Sequence, residues 1–242
     1  MEHFYEIFDQ VFAANELSFL ATEQNKRAFA RLCEHTLEVN KVHNITAIRD
    51  VPGVITKHFA DSVKKIEAIP PTGATLLDVG TGGGFPTLPL AIVRPDLRIT
   101  AIDSTAKKIA HVQNTAKMLG LCNVTAISGR AEDMAHTNMR ESFDIVTARA
   151  VSELRILCEI TLPFVKVGGT FVALKGASGE KELLDAMHAI EKLGGKCIDL
   201  CKYTLNDEHG NQDERCLILI RKEKTTPQNF PRQYAQILKK PL

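Results

Sequence analysis

A buried strand that runs directly into a glycine-rich turn is the feature that most constrains this chain. Residues 75–86 read Thr-Leu-Leu-Asp-Val-Gly-Thr-Gly-Gly-Gly-Phe-Pro, so the strand is followed by Gly80, Gly82 and Gly84. Glycine adopts left-handed dihedrals without a steric penalty and lets a ligand approach the backbone closely. The pattern therefore predicts a ligand-binding turn at the end of a strand.

The spacing of these glycines indicates the kind of ligand. A dinucleotide fingerprint places its third glycine three residues after the second, and that position here is Phe85. The pattern Asp-x-Gly-x-Gly-x-Gly is instead typical of Rossmann-like methyltransferases, which bind S-adenosylmethionine (AdoMet). The acid of the pattern, Asp78, is then expected to fix the turn or to hold the methionine end of AdoMet. The turn alone leaves a dinucleotide-dependent oxidoreductase open as an alternative.

A second acid follows the next predicted strand. Residues 98–103 form that strand and end in Asp103. A carboxylate at this point of the fold is placed to accept hydrogen bonds from the ribose hydroxyls of an adenosine. The other interpretation is an acid at the start of a helix over 107–119, which Gly120 ends. The two roles are compatible.

The order of predicted elements indicates a helical extension followed by an alternating α/β domain. Residues 1–70 show helical periodicity, and Pro70-Pro71-Thr72-Gly73 marks the passage into the first strand. Strands are predicted over 75–79, 98–103, 123–128, 143–148, 169–175, 196–204 and 215–222, and helices over 87–93, 107–119, 152–161 and 179–193. This alternation predicts a class I (Rossmann-like) AdoMet-dependent methyltransferase fold, with a mostly parallel sheet and an antiparallel terminal strand. The predicted domains are a helical N-terminal extension over 1–70, an AdoMet-binding domain over 71–224 and a basic C-terminal tail over 225–242.

Composition excludes several classes of protein. At 242 residues and 44% hydrophobic content the chain suits one α/β domain with an appendage. Six cysteines without C-x-x-C spacing indicate reduced thiols in a cytoplasmic protein. Cys197, Cys201, His209 and Cys216 are the one grouping that suggests a metal site, and we expect no metal there. The N-terminus is acidic and no run of about 18 apolar residues occurs, so we expect neither export nor a membrane. We also expect a monomer.

The tail over 225–242 is basic and proline-rich. Residues 215–242 contain seven basic residues and one acid. The prolines predict no helix, and the composition suggests an arm that lies along RNA, with Phe230 and Tyr234 stacking on bases and Arg232 on a phosphate. A disordered, solubilising tail is the alternative.

Seven short segments occur in the order that is found in one methyltransferase family. They are VNKVHNITAIRD at 39–50, KHFADS at 57–62, DVGTGGGFP at 78–86, DS at 103–104, RAE at 130–132, ARA at 148–150 and ALKG at 173–176. This order resembles the RsmG family of ribosomal small-subunit guanine-N7 methyltransferases, once called glucose-inhibited division protein B. The resemblance spans about residues 35–222. The N-terminal segments are its specific part, although Val39 stands where many members carry Trp.

The resemblance implies AdoMet-dependent methylation of N7 of one guanine in 16S rRNA, with 16S rRNA or the small ribosomal subunit as partner. Family positions that hold AdoMet fall on Gly80, Phe85, Ala131, Glu132 and Arg149, and the arguments above add Gly82 and Asp103. RNA contacts are expected at Arg149, Lys175, His58 and Arg232. Glu132 is expected to accept the adenine amino group, and a solvated loop acid is its alternative. A surface salt bridge is the alternative for Arg149.

The proposed acceptor explains which residues are missing. Guanine N7 is an in-plane lone pair that carries no proton at neutral pH, so no catalytic base is expected. Thr-Ala-Arg-Ala stands at 147–150, where adenine amino-methyltransferases carry Asn-Pro-Pro-Tyr, and no Cys follows a Pro. Because A-form RNA buries N7 in a narrow groove, the target base is expected in a loop or splayed out. A non-catalytic RNA-binding assembly factor remains an alternative, since a base is missing in either case.

Overall fold

Seven strands form one mixed sheet in the computed structural model, which describes residues 2–69 and 73–242. The strands are β1 (Thr75–Val79), β2 (Arg98–Asp103), β3 (Val124–Ser128), β4 (Phe143–Arg149), β5 (Val165–Gly176), β6 (Gly195–Asn206) and β7 (Gln212–Lys222). Their order is β3-β2-β1-β4-β5-β7-β6, in which β1 to β5 pair in parallel and β7 pairs antiparallel with both β5 and β6. The predicted class I fold, including its antiparallel terminal strand, is confirmed.

Helices flank the sheet and precede it. They are α1 (Glu2–Ala14), α2 (Glu23–His43), α3 (Val51–Val54), α4 (Asp61–Val63), α5 (Thr87–Val93), α6 (Ala106–Leu119), α7 (Ala131–Met134), α8 (Leu154–Thr161), α9 (Gly179–Lys192) and α10 (Tyr234–Lys239). A π-helical segment, Ile55–Ala60, joins α3 to α4. The predicted boundary at Pro70-Pro71-Thr72 lies outside the described residues. Within those residues, none of the helices combines the length and the apolar character that crossing a membrane requires.

The helical extension shares its hydrophobic core with the sheet. The apolar face of α1 is buried, and its Phe8 and Phe12 rings stack at 3.8 Å between centroids. The ring centroid of Phe29 in α2 lies 4.8 Å from that of Phe59. The Phe59 centroid lies 6.3 Å from that of Phe85, which follows the glycine turn. A continuous row of aromatic rings therefore fixes the π-helical segment against the turn.

The structure of the C-terminal tail differs from the prediction of an arm without a helix that lies along RNA. It contains a helix, α10, whose Ile237 is fully buried, and Phe230 is buried as well. Phe230 is therefore not free to stack on a base. Arg232 donates from its backbone N and from Nε to Oε1 of Glu159, and from Nη2 to Oε2, at 2.6–3.0 Å. Because Glu159 is fully buried, Arg232 anchors the tail to α8 and is not available as the predicted phosphate ligand.

Candidate active site

A cavity of about 480 Å³ lies where β1, β2, β3 and β4 end at their carboxyl edge. This edge is where open parallel sheets bind ligands. The structure brings all seven predicted cofactor residues to its wall: Gly80, Gly82, Phe85, Asp103, Ala131, Glu132 and Arg149. His58, predicted to contact RNA, lines it too.

The glycine turn forms the floor of this cavity, and two of its glycines have different constraints. Gly80 has φ +74°, and a Cβ there would lie 2.7 Å from Val151 Cγ2, so close packing excludes a side chain. Gly82 has φ +59°, yet the nearest protein atom to a Cβ would be 3.9 Å away. A side chain at Gly82 would therefore project into space that a ligand can use, at a strained backbone conformation.

Asp78 holds the turn from beneath. It is fully buried, and its Oδ2 accepts a hydrogen bond from Thr87 Oγ1 at 2.7 Å, which in turn accepts one from Thr81 Oγ1 at 3.0 Å. Burial raises the pKa of this carboxyl, and the Thr87 hydrogen bond opposes that shift. Two roles were predicted for Asp78, and the structure supports the one of fixing the turn. Asp78 is not among the described residues that line the cavity.

Asp103 ties the end of β2 to the same turn. Its Oδ2 accepts a hydrogen bond from the Gly82 backbone N at 3.1 Å, and its Oδ1 accepts one from the Thr105 N at 2.8 Å. The latter bond lies at the start of α6, so the predicted helix-start role is present. Each carboxylate oxygen can accept more than one hydrogen bond, and Asp103 lines the cavity, so both predicted roles remain compatible.

Glu132 lies on α7, directly after β3. Its side chain is nearly buried, and the mostly exposed Arg130 places Nη1 3.6 Å from Oε1. The alternative of a solvated loop acid is therefore wrong, because the carboxylate faces the cavity and not bulk solvent. A buried acceptor of this kind suits a ligand that brings its own N–H donors.

Arg149 ends β4 and points towards the helical extension. Nη1 donates to Asp61 Oδ2 at 3.0 Å and to the Lys57 carbonyl at 2.9 Å, and Nη2 donates to His58 Nδ1 at 3.2 Å. Asp61 also accepts a hydrogen bond from Arg215 Nε of β7 at 2.9 Å. The side chains of Arg149 and Asp61 are only 13% and 10% exposed. The salt bridge is therefore buried, unlike the surface pair considered as the alternative.

His58 is held by ring stacking and by contacts at both ring nitrogens. Its ring stacks on Phe85 at 4.1 Å between centroids, nearly parallel. Nε2 lies 2.7 Å from Thr46 Oγ1, and Asn40 fixes the Thr46 loop by accepting from the Thr46 N and donating to the Ile48 carbonyl. Burial, followed by the nearby charge of Arg149, lowers the pKa of His58 to about 3. The ring is therefore neutral at physiological pH.

A second cavity, of about 560 Å³, adjoins the first and shares His58, Arg149, Ala150 and Val151 with it. Lys175, predicted to contact RNA, lines this second cavity. Its Nζ lies 2.7 Å from Glu182 Oε2, and its side chain is 7% exposed. Lys175 is therefore an ion-paired wall residue rather than a free cation.

Sequence reasoning missed three residues that help to build the site. Asp61 and Thr46 lie in the segments that carry the family resemblance, but nothing in their spacing showed that they would meet Arg149 and His58. Tyr234 lines the first cavity, although its position in a basic tail suggested RNA. The available signal for Tyr234 was an aromatic residue among basic residues. This signal is compatible with a contact to RNA and with a place in the cavity wall.

Known proteins match this chain over most of its length. A family model described as rRNA small subunit methyltransferase G matches residues 25–209. The ribosomal RNA small subunit methyltransferase G of Leuconostoc citreum is 42% identical over 234 residues, which cover 95% of this chain and 96% of that protein. The protein of the same name from Clostridium beijerinckii is 37% identical and covers 99% of both chains.

Solved structures resemble the fold. A SAM-dependent methyltransferase from Aquifex aeolicus superposes with a TM-score of 0.52 at 19% identity, over 73% of this chain and 96% of that one. One from Methanosarcina mazei gives a TM-score of 0.52 at 16% identity, over 65% and 96%. The oxidoreductase alternative is not favoured by any of these similarities. By the extent and identity of its sequence matches, the chain belongs to the rRNA small subunit methyltransferase G family.

Proposed function

We propose that this protein transfers a methyl group from AdoMet to N7 of one guanine in 16S rRNA, in the free RNA or in the small ribosomal subunit, within the cytoplasm. The observation that carries the proposal is the convergence of Gly82, Asp103, Glu132 and Arg149 on one cavity. These residues come from four separate places in the sequence, and the fold alone brings them together.

The cavity suits AdoMet in its chemistry. Open space above Gly82 accommodates a ligand against the backbone. The carboxylates of Asp103 and Glu132 supply acceptors for ribose hydroxyls and for the adenine amino group, and Phe85 supplies an apolar wall. AdoMet brings an electrophilic methyl group when it is bound.

The residues around Arg149 provide positioning and not proton transfer. A guanidinium only donates hydrogen bonds, so His58 Nδ1 must accept from Arg149 and Nε2 must carry the ring proton towards Thr46. Neither nitrogen of His58 is then free to remove a proton from a substrate. Guanine N7 requires no such removal, so the site's arrangement is compatible with this acceptor.

The second cavity is the proposed place for the target base. It adjoins the cofactor cavity at Arg149 and His58, and its wall combines the basic residues Lys57, Lys175 and Arg215 with the acids Asp61, Glu153 and Glu182. Holding an acceptor atom in line with the methyl group lowers a barrier by roughly 7–11 kcal/mol in the best cases. We propose orientation of this kind as the main source of catalysis.

Methyl transfer to RNA tests the proposal. The protein is incubated with AdoMet labelled in its methyl group and, separately, with 16S rRNA and small subunits that lack the modification. Digestion to nucleosides should give labelled 7-methylguanosine at one position. Label on another base or ribose would refute the N7 assignment, and binding of RNA and AdoMet without transfer would support the assembly-factor alternative.

A further inference from the structure

The C-terminal segment after β7 is fastened to the methyltransferase domain by buried polar contacts. Lys222, fully buried, donates from Nζ to the Leu162 carbonyl at 2.6 Å and to Thr226 Oγ1 at 2.7 Å. Arg140 donates from Nη2 to the Thr226 carbonyl and from Nη1 to the Phe230 carbonyl, each at 2.8 Å. These bonds hold the backbone over residues 222–230 in one path.

Two further contacts direct the segment towards the cofactor cavity. His136, which follows α7, lies with Nε2 2.9 Å from the Pro231 carbonyl. Arg232 forms its paired hydrogen bonds with buried Glu159 of α8. The chain therefore enters α10 while held to both α7 and α8, the helices that carry Glu132 and Ile160 on the cavity wall.

Tyr234, the first residue of α10, lines the cavity as a result. It is partly buried and packs against the same core cluster as Ala131. Ile237, one turn later, is fully buried and holds α10 in place, whereas Leu238 is 51% exposed. One face of this short helix is therefore inserted beside the cavity, and the other is exposed.

We propose that Tyr234 is a cofactor-binding residue that closes the adenosyl part of the cavity. This inference rests on the proposed function, in which Glu132 accepts the adenine amino group. An aromatic side chain in the same cavity wall as that acceptor matches the chemistry of a purine, because a ring can stack on a base while a carboxylate reads its edge. The C-terminal tail thus completes the AdoMet site instead of gripping RNA.

Binding by single-residue variants tests the assignment. Tyr234→Ala should bind both AdoMet and adenosine about tenfold more weakly in calorimetry, because the variant lacks the ring on which the adenine stacks. Tyr234→Phe, which keeps the ring, should stay close to wild type. Leu238→Ala, an exposed position on the same helix, serves as the matched control and should show no change. RNA affinity should be equal in all four proteins.

A fluorescence experiment separates direct contact from a structural role. The chain contains no Trp, so Tyr234→Trp introduces a single reporter. Saturating AdoMet should change its emission, and it should leave the emission of Leu238→Trp unchanged. The inference would be overturned if AdoMet left the emission of Tyr234→Trp unchanged, or if Tyr234→Ala bound AdoMet with wild-type affinity. In either case, methyl transfer by the wild-type protein would still support the proposed function. A wild-type protein that binds no AdoMet would overturn both.

Discussion

Arg149 and His58 are joined by a hydrogen bond of 3.2 Å from Nη2 to Nδ1. Because Arg149 can only donate, this bond fixes the proton of neutral His58 on Nε2, where Thr46 Oγ1 accepts it. A second proton on the imidazole would face the guanidinium directly. His58 is therefore an uncharged neighbour of the Arg149 guanidinium at the centre of the site.

This pairing predicts a pH-independent chemical step. The pKa of His58 is lowered to about 3, and the acceptor nitrogen carries no proton to lose, so neither of these two groups titrates near neutrality. The single-turnover rate, with enzyme and AdoMet saturating, should be nearly flat between about pH 6.5 and 8.5. A rate that rises tenfold per pH unit, with normal binding of AdoMet and RNA, would require a catalytic base and contradict the mechanism.

Arg149→Lys should impair the enzyme even though it keeps the charge. The fork of Arg149 bonds Asp61, His58 and the Lys57 carbonyl at once, and a single ammonium cannot reproduce that geometry. We expect the single-turnover rate to fall about 10- to 100-fold, the range that follows from a small misplacement of reacting groups. Arg31→Lys is the control, because Arg31 donates to the Met118 carbonyl and lines neither of the two cavities. Equal effects of the two variants would argue against a special role for Arg149.

Local patterns in the sequence were sufficient to predict the fold and the cofactor cavity. Strand periodicity and glycine spacing are read within about ten residues, and a parallel sheet necessarily brings the carboxyl ends of neighbouring strands together. Asp103 could therefore be placed beside the glycine turn from the strand order, whereas Glu132 was implied by the family resemblance. The helical extension was also predictable, because its apolar residues repeat with the helical period.

Contacts between distant segments were not predictable in the same way. The partnership of Arg232 with Glu159 joins residues 73 positions apart, and a basic composition alone indicates a polyanion ligand. Proline residues suggested no helix in the tail, yet α10 begins only after Pro231 and is stabilised by burial of Ile237. Tertiary packing here overrides local propensity.

Removing the carboxylate of Asp103 should weaken cofactor binding. Asp103→Ala is expected to lower AdoMet affinity by about 1–3 kcal/mol, because hydrogen bonds to a charged acceptor are lost. Calorimetry measures the change. Asp144→Ala is a suitable control, since Asp144 also accepts from backbone and side-chain donors of Thr75 but lies at the other end of the sheet, outside the cavity. Unchanged affinity in Asp103→Ala would restrict this residue to its role at the start of α6.

Arg232→Ala should destabilise the protein without changing the salt dependence of RNA binding. The substitution leaves the fully buried Glu159 carboxylate without its partner, which costs roughly 3–5 kcal/mol in buried pairs. Urea unfolding measures this loss. Arg155→Ala is the control. Arg155 lies on α8, the helix that carries Glu159, and the substitution breaks only an exposed pair with Glu153, which should cost less than about 1 kcal/mol. A reduced slope of log K against log salt for Arg232→Ala would restore the phosphate role that the sequence suggested.

Acid should destabilise the fold through buried histidines before it protonates most carboxylates. Burial lowers the pKa of His111 to about 4, assisted by His35, whose ring stacks on it at 5.6 Å, and the pKa of His58 is also depressed. The folded-state pKa values lie below the unfolded value of about 6.5, so the unfolded chain binds more protons in this interval. Stability is then complete above about pH 6.5 and falls as the pH drops towards 4, by at most about 1.4 kcal/mol per pH unit for each histidine.

Replacing one of these histidines isolates its contribution. His111→Phe removes the titrating group and keeps a planar ring, so the slope of unfolding free energy against pH between 6.5 and 4.5 should decrease by up to about 1.4 kcal/mol per pH unit. His209→Phe provides the control, because His209 is exposed and should leave the slope as in wild type. Urea unfolding at half-unit intervals of pH gives both slopes. An identical slope in His111→Phe and wild type would mean that His111 does not remain neutral in the folded protein at acidic pH.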